Sequence, residues 1–102
     1  MTMDARKFNQ ALAEFQAFGP RRRIPIEDRW RELLPDIEPA AFDELEERCR
    51  NIEAFALGLA EQASNQKLSQ EVARKQIEEK FPYLTPDSVS HTWSQAMYYS
   101  MK

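Results

Sequence analysis

Between Phe42 and Ala63 the apolar residues Phe42, Leu45, Cys49, Ile52, Ala56, Leu59 and Ala63 recur at alternating spacings of three and four. At 3.6 residues per turn those positions fall on one face, so the stretch is read as a single α-helix with a continuous buried seam. Pro39 is suited to the first helical position, where a missing N–H costs nothing. Asp43, Glu44, Glu46 and Glu47 follow in the early turns, where the positive end of the helix dipole favours negative charge. Glu44 with Arg48 and Glu46 with Arg50 are spaced i,i+4 in the favourable order. The predicted helix covers about residues 39–64, and the rest of the chain is expected to pack around it.

This helix has two different halves. Its first half is acidic on the outside, whereas Ala54, Phe55, Ala56, Leu57, Gly58, Leu59 and Ala60 carry no charge on any side. A helix without a polar face is expected to be covered all round, by the chain's own helices, a second copy or a partner helix. Phe55 and Leu57 are the diagnostic residues: a closed fold buries both, and an exposed one marks where a partner docks. Twenty-six helical residues would span about 39 Å, against a radius of gyration near 13 Å for a domain of this size. A break is therefore expected, with Gly58 as the weak point.

Four further helices are expected. The first runs from about Asp4 to Phe18, with Phe8, Ala11, Leu12, Phe15 and Phe18 inward, and Gly19-Pro20 stops it. A short second helix from about Pro25 or Ile26 to Leu34 turns Ile26, Trp30, Leu33 and Leu34 inward, and Pro35 ends it. Ser69 caps a helix over about 70–81, with Val72, Ala73, Ile77 and Phe81 on its inner face. Thr85 caps the last helix, about 86–101, with Pro86 at the first position and Leu84 and Val89 as a hydrophobic staple. Its inner face is Val89, Trp93, Ala96, Met97 and Ser100. The expected architecture places the first, fourth and fifth helices on the Ala54–Ala60 half of the central one.

Composition agrees with an all-α domain. The 102 residues include only two glycines and ten Val, Ile and Thr, poor material for a sheet. The six prolines all fall at predicted helix ends. The length corresponds to a single domain spanning residues 1–102. The lone cysteine, Cys49, lies on the seam and reads as a small buried hydrophobe. No apolar run is long enough to span a membrane, and residues 1–6 lack the apolar core of a signal peptide. A cytoplasmic, intracellular protein is expected.

Enzyme chemistry finds no support. The chain has one histidine and one cysteine, so neither zinc spacing nor an oriented Cys–His pair can be read from it. It has no Glu-x-x-His motif for a di-metal site and no Gly-rich phosphate loop. No cofactor is expected.

Charge is unevenly placed. Residues 1–35 carry a net +2, residues 36–65 a net −6 and residues 66–102 a net +1. The acidic front of the central helix is thus expected to face basic groups, either Arg21-Arg22-Arg23 or a partner. The last helix has a second face of Ser88, His91, Thr92, Gln95, Tyr98, Tyr99 and Lys102, rich in residues favoured at interfaces. The expectation is a protein-interaction module, an adaptor, regulatory subunit or inhibitor that acts by occupying a surface. Its candidate contacts are Asp43, Glu44 and Glu47 together with His91, Gln95, Tyr98 and Tyr99, and its partner is another protein or a second copy. The alternative is a DNA-binding regulator that uses the last two helices in a helix-turn-helix outline, with Arg74, Lys75, Lys80 and Gln95 as contacts. That reading is opposed by the scarcity of charge from Pro86 to Lys102, because phosphate contacts supply most non-specific DNA affinity.

Overall fold

The computed structural model describes residues 4–16, 23–65 and 67–100. Within them the protein is all-helical, with no strand and five helices: α1 (Ala5–Phe15), α2 (Ile26–Leu33), α3 (Pro39–Ser64), α4 (Gln70–Lys80) and α5 (Pro86–Ser100). The 26-residue α3 is the longest and has the bounds expected of it. It is unbroken at Gly58, contrary to expectation, because a lone glycine lowers helix propensity by only about 1 kcal/mol and tertiary packing overrides that. The chain divides into two compact units, Met1–Cys49 and Arg50–Lys102, and α3 contributes to both.

In the first unit the Asp4 carboxylate caps α1 by accepting from the Lys7 backbone N–H at 2.8 Å. Phe8, Ala11 and Leu12 are buried, as the helical spacing requires. Phe18 and Gly19-Pro20 lie outside the described residues. Trp30 of α2 has no exposed surface. Its ring meets Phe15 and Phe42 edge-on, with centroids 6.0 and 4.9 Å away. The Arg48 guanidinium lies over the Phe8 ring, 4.1 Å from its centroid. The expected placement of α1 on the Ala54–Ala60 half of the central helix is therefore corrected, since α1 belongs to the unit that ends at Cys49. Arg29, on the edge of α2, is also buried. Its Nε donates to the Ile24 carbonyl at 3.0 Å, its Nη1 donates to the Glu14 carbonyl, and the Glu14 carboxylate lies 3.6 Å away. Of the three consecutive arginines, Arg21 and Arg22 lie outside the described residues and Arg23 is exposed.

In the second unit Ile52, Ala56, Leu59 and Ala60 form the buried stripe of α3. Ser69 caps α4 through a bond from the Val72 N–H at 3.2 Å, and Thr85 caps α5 through one from the Ser88 N–H at 3.2 Å. Leu84 and Val89 are both buried, as the staple demands. Phe81, at the end of α4, packs edge-on against Phe55 with centroids 5.6 Å apart, while the Lys80 ammonium sits 4.8 Å above the Phe55 ring. Arg74 of α4 donates to the Ser90 hydroxyl of α5. At the far ends of α3 and α5 the Ser64 and Ser100 hydroxyls are 3.3 Å apart. Because Ser100 also donates to the Met97 carbonyl at 2.9 Å, Ser64 is left as the donor between them.

Three expectations for this unit are corrected. Val72 is 45% exposed, because α4 buries the narrow stripe of Ala73 and Ile77 and its neighbour on the wheel falls outside it. Ala54 and Gly58 are exposed, so the charge-free stretch of α3 is not covered all round. Phe55 and Leu57 are each half-buried, neither sealed within the fold nor fully open. Among the described residues no helix is long and apolar enough to cross a membrane.

Candidate functional site

The half-burial of Leu57 has a specific geometry. Ala54 and Leu57 of α3 and Ala96 of α5 line a cleft of about 260 Å³ in the second unit. Polar groups edge it on both sides: Arg50 and Glu53 from α3, and Thr92, Gln95 and Tyr99 from α5. The two walls follow from local structure. Positions 50, 53, 54 and 57 share one flank of α3, and positions 92, 95, 96 and 99 repeat the same spacing on α5. Small side chains at 54 and 96 leave the space that larger ones would fill.

Burial dominates at Glu53 and raises its carboxyl above the ordinary carboxylate range, while the Arg50 charge pulls it partly back. Thr92 and Gln95 are buried. Tyr99 stands at the edge, 40% exposed, and Tyr98 is 51% exposed beside it. The two rings meet edge-on with centroids 5.7 Å apart. This is an apolar recess with a titratable wall and an aromatic lip.

The contact residues expected from sequence fall into two groups. His91, Tyr98 and Tyr99 are exposed on α5. Gln95 belongs to the same helix but is turned into the cleft wall, so its expected place on an open face is corrected. Thr92 is corrected for the same reason. Asp43, Glu44 and Glu47 are exposed on the first unit's part of α3. Asp43 borders a hollow of about 150 Å³ with Ile37, Pro39 and Phe42, next to Glu27, Glu38 and Arg31. Glu44 and Glu47 do not line it. Sequence reasoning singled out neither Glu53 nor Ala54 as a site residue. The available signal was their shared flank with Leu57.

The alternative DNA contacts are placed less favourably than the sequence suggests. Arg74 and Lys75 lie on an open α4 surface that also carries Glu71 and Glu78, so its charge is balanced. Lys80 is over Phe55, and Gln95, 8% exposed, is not available to reach a base edge. Among the described residues no His, Cys, Asp and Glu side chains are grouped to hold a metal ion. No family model matches the chain, nor does any curated protein or solved structure.

Proposed function

We propose that the protein is a small protein-interaction module that works by occupying a surface, with the α3–α5 cleft and its tyrosine lip as the docking site. The carrying observation is the half-buried Leu57 in a recess of about 260 Å³ edged by Tyr99. An apolar pocket ringed by polar groups and aromatic residues has the anatomy of an interface core, in which one partner side chain is anchored and water is excluded. The mechanism is steric and needs no chemistry from the module. The exposed Asp43, Glu44 and Glu47 form a separate acidic surface in the first unit.

The experiment compares partner capture from the native cell extract by the wild-type chain, by Ala54→Arg and by Glu44→Lys/Glu47→Lys. Ala54 is exposed on the cleft wall, so a long side chain there blocks the recess without disturbing the core. The expected result is a discrete set of proteins lost with Ala54→Arg and kept with the double variant. Loss only with the double variant moves the site to the acidic surface. Retardation of duplex DNA at low salt that disappears as salt rises would instead support the DNA-binding regulator. Sedimentation at increasing concentration tests whether the partner is a second copy.

A further inference from the structure

We propose that the α3–α5 cleft receives an arginine side chain from the partner, with its methylene stem along Ala54, Leu57 and Ala96 and its guanidinium at Glu53. This deepens, and rests on, the assignment of the cleft as the docking site. At about 260 Å³ the recess lies below the range of roughly 300–1,000 Å³ typical of small-molecule pockets, so its size suits one side chain. Its floor is apolar, which asks for a guest with a hydrocarbon body.

The charge on the guest follows from Glu53. Its carboxylate is on the cleft wall and is held partly out of water, which costs free energy that a guest cation would offset. Burial already pushes its pKa up despite Arg50, which shows that Arg50 does not fully compensate. Arg50 is an exposed side chain at the edge and can turn towards solvent. An anionic guest would meet Glu53, and a neutral one would leave it desolvated. Arginine is favoured over lysine because a guanidinium is weakly hydrated, pairs with a carboxylate through two parallel hydrogen bonds and stacks on an aromatic face. Tyr99 offers that face at the lip. Arg50 and Tyr99 are the other titratable groups lining the cleft around Glu53.

The test is an amide chemical-shift titration of the full chain with three probes: the N-acetyl methylamides of arginine, lysine and norleucine. The arginine probe is expected to shift Ala54, Leu57 and Ala96 with an affinity roughly tenfold above that of norleucine, equivalent to about 1.4 kcal/mol. Lysine should fall between them. Glu53→Gln should bring arginine down to the norleucine level, and acidification through the raised Glu53 range should do the same to the wild type. Arg50→Gln removes the competing cation and should tighten arginine binding. An unshifted spectrum outside the cleft verifies that both variants are folded. If norleucine binds as well as arginine, or Arg50→Gln weakens arginine binding, the arginine assignment is overturned while the docking site stands. If no probe moves these amides, the docking site falls with it.

Discussion

The Trp30 indole Nε1 donates to the Ala11 carbonyl oxygen at 2.9 Å, a buried bond that ties α2 to α1. The other tryptophan is the opposite case. Trp93 is 4% exposed, and its Nε1 is buried with no acceptor among the described residues.

That contrast predicts different costs for the same substitution. Trp30→Phe loses a hydrogen bond worth about 1 kcal/mol and part of a ring that contacts Phe15 and Phe42, for a total of about 2–3 kcal/mol. Trp93→Phe loses comparable volume but removes an unpaired buried donor, itself a burden of about 1–3 kcal/mol. It is expected to stay within about 1 kcal/mol of wild type. Urea unfolding of the two variants measures the difference, and equal destabilisation would contradict the assignment of the bond.

Arg29 predicts a second effect in the same unit. It is 6% exposed and holds the Ile24 and Glu14 carbonyls as well as the Glu14 carboxylate. Arg29→Met keeps most of the stem but leaves those carbonyls and a partly buried carboxylate without their donor, which should cost about 2–3 kcal/mol. Arg29→Lys should recover little, because an ammonium cannot reproduce a fork that bonds through Nε and Nη1 at once. Denaturant midpoints for both variants decide this, and full rescue by lysine would show that charge alone matters.

The periodic features were legible from sequence, and the non-local ones were not. The bounds of α3 and the caps at Ser69 and Thr85 depend on neighbours within four residues, which is the range that sequence patterns report. Arg29 was unreadable because its partner, Glu14, is fifteen positions away and has nothing local to mark it. Val72 and Ala73 are adjacent apolar residues, and periodicity alone could not say which would face inward. Thr92 and Gln95 looked like surface because they are polar. The missing charge between Ser88 and Met101 was the better clue, since a helix covered on two flanks has room for uncharged polar groups and little for ions. Ala54 and Gly58 failed in the opposite sense, because absence of charge does not bury side chains that have almost no surface to hide.

Gly58 supplies a third prediction. It lies inside α3, and a Cβ built on it meets nothing within 4 Å. Gly58→Ala therefore gains helix propensity and loses unfolded-state entropy without a clash. Stabilisation by about 0.5–1 kcal/mol is expected, which for a chain of this length raises the melting temperature by about 3–6 °C. A lower melting temperature would mean that a neighbour occupies the space beside position 58.

Glu53 supplies the last, through pH. Its carboxyl is raised above the model value of 4.5, with burial as the larger cause and Arg50 opposing it. Below that value both the folded and unfolded chains hold the proton, and the group is neutral towards stability. As pH rises through it, the unfolded chain releases the proton first while the folded chain retains it, so the unfolded state is favoured. The penalty grows until the folded carboxyl has ionised as well, and it is constant above that. Glu53→Gln cannot ionise and escapes the penalty. The variant should therefore match the wild type in acid and become the more stable of the two as pH approaches neutrality, with the difference reaching a plateau. Measuring the pair at each pH cancels the other carboxylates, which both chains share. A difference of the opposite sign at neutral pH would show that the Arg50 attraction outweighs burial, and that Glu53 already has the cation it needs.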